Sequence, residues 1–191
     1  VGLAKFTTTL YALELGAQGW LLAAMAGAQS VGIVFTSLPV GFWVERFGPA
    51  RLFVLGSWAM GVLYVLIPAL PHAFFLLALT ALISLLMPLR FVSLNTVFML
   101  ALERLGQGRA GWQRGAHMSG MFLLGPVLAA AAIPALGHAG SYWLIGAMFF
   151  ATALFAAPVL NHHPHVAANG GARVPMLQSI RALWQQPWVL Q

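Results

Sequence analysis

The sequence predicts an all-α membrane protein, a bundle of six transmembrane helices. Three observations carry that expectation. Hydrophobic residues make up 61% of the 191 positions and charged residues only 6%, more apolar surface than a soluble domain of this size can hide. The apolar residues fall in runs of membrane length, separated by short segments rich in Gly, Pro or Arg. Within lipid, moreover, each backbone donor and acceptor needs a partner inside the protein, which for runs of this kind means helices.

A helix needs about 20 mainly apolar residues to cross a bilayer. Residues 1–14 are too few, and the chain opens at Val1 inside an apolar segment, so they are expected to be the outer part of a first helix that lacks its beginning. Thr7, Thr8, Thr9 and Tyr11 make this helix unusually polar, and Glu14 marks its exit as an interfacial cap. Thr8 and Tyr11 are candidates to line a polar cavity, although threonine hydroxyls also bond back to their own helix. After a turn at 15–19, Trp20 suits the membrane interface, where an amphipathic ring is favoured.

The second helix is expected over 20–44. Ala24, Ala28 and Gly32 recur there every four residues, a stripe on which another helix can come close. A third span covers 51–70, with Pro71 and His72 in the following turn, and a fourth covers 74–101. Residues 103–114 form a polar loop, the fifth helix covers 115–136, residues 137–140 make a short turn, and the sixth helix covers 141–160. The remainder, 161–191, is a cytoplasmic linker and then an interfacial helix, with Trp184 and Trp188 near the membrane and Arg181 in water.

The loop charges orient these spans. Arg46, Arg51, Arg104, Arg109, Arg114, Arg173 and Arg181 fall on one side, whereas the turns at 15–19, 71–73 and 137–140 carry no Lys or Arg. The basic side is the cytoplasmic one by the positive-inside rule, which predicts a multi-pass protein of the cell's inner membrane. The two other basic residues, Lys5 and Arg90, lie within spans. Arg90 is the more informative, because insertion of Arg at the centre of a helix costs about 2.5–3.5 kcal/mol. A carboxylate, backbone carbonyls or a wet cavity must compensate it, which makes Arg90 a candidate for the substrate or proton path.

The composition also excludes functions. Without cysteine there is no disulfide, thiol catalysis or thiolate metal site. The net charge of +6 sits between apolar runs and not on one basic face, which argues against nucleic acid. No Gly-rich phosphate loop with its Lys, no G-x-S-x-G and no H-E-x-x-H is present, so neither an enzyme nor a cofactor is expected. His162, His163 and His165 lie in a Gly-rich linker with no carboxylate nearby, so no metal site is expected there.

Two stretches carry more specific information. In PVGFWVERFGPARL (39–52), Gly41, Glu45, Arg46, Gly48 and Arg51 gather where the second and third helices meet. Gly48 permits a backbone reversal, and Pro49 stops the second helix. In GMFLLGPVLAA (120–130), Pro126 frees a carbonyl inside an apolar helix, and Gly125 leaves room for a neighbour. The first stretch resembles the loop between the second and third helices of the major facilitator superfamily, whose pattern is Gly, three residues, Asp-Arg, one residue, Gly and two basic residues. Gly41, Arg46 and Gly48 match, Glu45 keeps the charge of Asp, and Pro49 and Ala50 replace the paired basics. The second is similar to the Gly-Pro element in the fifth helix of that family's antiporters, with Met121, Ala129 and Ala130 where Gly is usual. Arg90 stands where the family's fourth helix carries an Arg linked to proton coupling, with Asn95 in place of a later Gly.

This resemblance implies the amino-terminal six-helix half of a major facilitator fold, facing a second six-helix half absent from this chain. It implies alternating access, with a small-molecule substrate and protons as partners beside the lipid bilayer. The 41–51 turn would latch the inner gate, and Gly125 and Pro126 would let helix packing shift. The Gly-Pro element favours proton-coupled efflux. Substrate/proton symport on the same fold and a non-transporting membrane scaffold are the alternatives.

Overall fold

The computed structural model describes residues 2–105 and 110–161, and nearly all of them are helical. The expected linker and interfacial helix, with His162, His163, His165, Arg173, Arg181, Trp184 and Trp188, lie outside these residues, as does Arg109. The first helix, α1, spans Gly2–Glu14. It ends at Gly16, whose φ of 72° is the left-handed conformation in which a residue without Cβ closes a helix. The Ala17 N–H then reaches back to the Ala12 carbonyl at 2.9 Å.

Helices α2 (Gly19–Phe47) and α3 (Pro49–Leu66) are joined by the single residue Gly48, at φ 85° and ψ 146°. The polar loop expected at this point is therefore one residue long. Glu45 and Arg46 belong to the last turn of α2 and Arg51 to the first turn of α3. A glycine able to take positive φ, followed by a proline preset for the first helical position, leaves no other residue needed for the reversal. A 3-10 turn, Ile67–Ala69, leads to α4, which runs over Ala73–Leu105. Pro39 within α2 and Pro88 within α4 do not end their helices.

The next rod starts as α5 (Ala110–Met118), widens to a π turn (Ser119–Leu124) and continues as α6 (Gly125–Asn161). Inside α6, Gly137 has φ 69° and ψ 178°, so the helix breaks there into two arms, 125–136 and 138–161. The turn expected over 137–140 contracts to that glycine, because a single left-handed residue suffices to reverse the chain. Four helices are long and apolar enough to cross a membrane among the described residues, Gly19–Phe47, Pro49–Ala69, Ala73–Met99 and Arg114–Ala156. The all-α membrane class follows from these lengths. The last of them has 43 residues, roughly twice the about 20 that one crossing takes.

Close approach of backbones organises the packing. Helix α2 lies on α4, α3 lies between α4 and α6, and α1 lies on α6. A Cβ on Gly32 would sit 2.0 Å from Ser84 Oγ, one on Gly61 2.6 Å from the Phe150 ring, and one on Gly125 2.7 Å from the Gly2 backbone. The Ala24–Ala28–Gly32 stripe is thus the seat of α4. Leu3, Met25, Met60, Tyr64, Leu76, Tyr142 and Phe149 fill the main core. Val40, Val44, Leu52 and Leu89 form a smaller cluster beneath Gly48. Large apolar side chains such as Val34, Phe35, Leu38, Phe122, Leu123 and Val127 point outward, as lipid-facing or helix-facing surface does.

Candidate functional site

Helices α1, α2, α3 and α4 line a partly open cavity of about 40 Å³, room for a small number of waters. Its polar lining comes from Lys5 and Thr8 on α1, Gln29 on α2, Tyr64 on α3, and Thr80 and Ser84 on α4. Lys5, Gln29 and Ser84 lie at similar depth, whereas Tyr64 stands only two residues before the end of α3 at Leu66. Lys5 lies nine residues before the end of α1 at Glu14, about 13 Å along the helix. Gln29 lies ten residues after the start of α2 at Gly19, about 15 Å, and Ser84 eleven after Ala73, about 16 Å. In a hydrocarbon core about 30 Å thick, that is close to the midplane.

Each polar group reached this depth with a different degree of satisfaction. Thr8 accepts a hydrogen bond from the Tyr142 hydroxyl at 3.3 Å. The Ser84 hydroxyl lies 2.9 Å from the Ala28 carbonyl and 2.7 Å from that of Ala81 and donates to one of them. Among the described residues, the buried Thr80 hydroxyl has no partner. Two buried hydroxyls outside the lining, on Thr7 and Ser93, are also unpartnered.

Tyr11, expected beside Thr8, is placed elsewhere. Its ring packs on His138 with centroids 5.2 Å apart and edge-on to Tyr142 at 5.6 Å. His138 Nδ1 contacts a carboxylate oxygen of Glu14. Glu14 thereby ties the end of α1 to the residue next to the Gly137 break. Tyr11, Glu14 and His138 form a polar cluster at one end of the bundle, separate from the cavity.

Arg90 does not line the cavity either. It projects between α3 and α6, its guanidinium carbon 4.3 Å from the Phe149 ring centre and 5.0 Å from that of Phe53. Nη2 donates to the Thr152 hydroxyl at 3.3 Å, while Nε is buried without a partner. Its stem passes over Gly56, where a Cβ would stand 3.2 Å from Arg90 Cγ. Because Gly56 is seven residues into α3, this slot lies about 10 Å from the Gly48 turn. Ring faces compensate the cation here, a contact that strengthens when water is excluded. No carboxylate pairs with Arg90 among the described residues.

At the Gly48 end, Glu45, Arg46 and Arg51 are exposed and Gly41 is half-buried. Arg46 lies over the Phe47 ring at 5.4 Å. Among the described residues Glu45 has no ion pair, so the turn is anchored by the apolar cluster below it. Gly125 is buried against Gly2, as the small-residue argument requires, while a Cβ on Gly120 would meet nothing within 4 Å. Pro126 follows directly on the π turn, in which the Gly125 N–H bonds the Gly120 carbonyl. A residue with no N–H cannot complete the regular ladder, and a widened turn absorbs the mismatch.

The sequence reading thus placed one of the cavity's polar side chains, Thr8, and passed over Lys5 as a site residue together with Gln29, Tyr64, Thr80 and Ser84. A signal existed for two of these. Lys5 and Gln29 are the most polar side chains inside the first two apolar runs, nearly a bilayer half-thickness from the turn between them. A sequence model described as Major Facilitator Superfamily matches residues 3–190 of the chain. Neither a curated protein nor a solved structure matches it significantly.

Proposed function

The chain belongs to the major facilitator superfamily of membrane transporters, and from that premise we propose that it moves a small molecule by alternating access, coupled to protons, in the direction of efflux. The observation that carries this reading is the polar cavity at mid-bilayer depth among α1, α2, α3 and α4. A transporter places its substrate near the midplane and exposes it to either side by rocking one helix bundle against another. In the proposed topology α1 belongs to a first span, the 137 break separates a fifth from a sixth, and a second six-helix bundle faces this one. The basic ends lie in the cytoplasm, in the inner membrane.

In this scheme Thr8 contributes to the substrate cavity, and Tyr11 acts at the Glu14 end. Arg90 biases the packing of α3, α4 and α6 between the two states. The 41–51 turn, through Glu45, Arg46 and Arg51, latches the cytoplasmic face, and Gly125 with Pro126 lets α6 shift against α1. Efflux rests on the Gly125-Pro126 pair, whose close seat on Gly2 suits a sliding contact. Proteoliposomes holding an imposed pH gradient test the coupling. Antiport drives substrate opposite to the proton flow and symport drives it along, and movement indifferent to the gradient removes the proton from the mechanism.

A further inference from the structure

Lys5 is a cation at bilayer depth, and among the described residues it has no counter-charge. The whole chain holds three acids, Glu14, Glu45 and Glu103. Glu14 is engaged with His138 at the end of α1, and Glu45 lies in the last turn of α2, beside Gly48. Among the described residues no ion pair includes Lys5. An ammonium at such depth is costly, and such residues pair with one another or mark the path of a substrate. Lys5 borders the cavity together with Thr8, Gln29 and Thr80. The Thr80 hydroxyl, on a residue only 5% exposed, has no partner among the described residues. A positive charge, an amide and a hydroxyl therefore border a space that has no negative group among the described residues lining it.

We propose that this cavity takes an anionic small molecule, its carboxylate or comparable oxyanion held by Lys5, with the Gln29 amide and the Thr80 hydroxyl donating to it. The assignment names the substrate class for the transport reading above and rests on that reading. Lys5 supplies the charge that the bilayer otherwise penalises, so bound anion and protein cation lower each other's cost of desolvation. Arg90 is not available for this role, because its guanidinium is held between Phe53 and Phe149, and Arg90 lies seven residues beyond the lining residue Ile83 on α4, about 10 Å along the helix. Neutral and cationic cargo would leave Lys5 uncompensated and are disfavoured at this site.

The chain has no cysteine, so one introduced thiol is the only one in it. Gln29→Cys places that thiol on the cavity, and Gln18→Cys places a reference thiol at the exposed start of α2. Each variant, reconstituted in vesicles, is treated with a sulfonate-bearing and with a trimethylammonium-bearing methanethiosulfonate, and the ratio of the two rates is taken. At Gln29→Cys the sulfonate is expected to be favoured roughly tenfold or more over the Gln18→Cys reference, the order produced by a unit charge several ångströms away at an effective dielectric constant of about 20. Adding Lys5→Gln should return the ratio to the reference value, and Lys5→Arg should retain it. A ratio insensitive to Lys5→Gln, a preference for the trimethylammonium reagent, or no labelling at Gln29→Cys by either reagent would overturn the proposal. Transport is read separately in the proteoliposomes, so a sulfonate-selective cavity in a protein that moves nothing keeps the site and discards the transport reading.

Discussion

At the level of single residues, Arg90 shows how a charge can sit at depth with no carboxylate beside it among the described residues. Its planar guanidinium covers the Phe149 ring at 4.3 Å and keeps one hydrogen bond, to Thr152. Lysine preserves the charge but not the plane, so Arg90→Lys is expected to transport at under about a tenth of the wild-type rate, a loss of about 1.4 kcal/mol or more in transition-state terms. Arg90→Met should lose transport as well while unfolding no more readily than wild type, because an apolar chain of similar length removes a buried cation whose Nε has no partner. Thermal unfolding in detergent beside initial transport rates separates the two effects. If Arg90→Met transported normally, Arg90 would be a structural residue only. Tyr142 offers a simpler case. Tyr142→Phe deletes the hydrogen bond to Thr8 and should cost about 1 kcal/mol of stability, read as a lower midpoint of unfolding.

Among the helices, close contact rests on glycines that are not interchangeable. Gly125→Val must push α1 away, since even a Cβ would lie 2.7 Å from the Gly2 backbone; a loss of about 1–3 kcal/mol is expected from such overpacking. Gly120→Ala meets nothing within 4 Å and should stay within about 0.5 kcal/mol of wild type. Equal destabilisation of the two variants would show that α1 does not sit on α6 as described. The helices were legible from the length of their apolar runs and from Gly48, Pro49 and Gly137, which punctuate them. Their facing was not legible. Helices α2, α3 and α4 are apolar nearly all round, so no polar stripe marks which side meets a neighbour and which meets lipid. For that reason Arg90 was legible as a residue of the fourth helix, while its partners were not: it lies seven residues beyond the lining residue Ile83, about 10 Å along α4, and packs on Phe53 and Phe149. Thr80 and Ser84 were missed because a lone hydroxyl in such a run is usually bonded to its own helix, as Ser57 and Thr96 are here.

For the molecule as a whole, the class of protein was written in its composition and the family in short motifs around Gly48 and Gly125. Topology can be checked directly. Reporter fusions at His138 and at Asn169 are expected on opposite sides of the membrane, and recovery of both on one side would refute the proposed six spans. The Gly48 junction bears on how such a bundle moves. Because α2 and α3 meet through one residue, neither rod has slack: a tilt imposed on one is handed to the other as through a bolted elbow. Three glycines inserted after Gly48 would turn that elbow into a loose hinge, leaving the cavity walls in place yet uncoupling their rotation. The altered protein should still bind its cargo, yet cycle slowly, with turnover failing before affinity does.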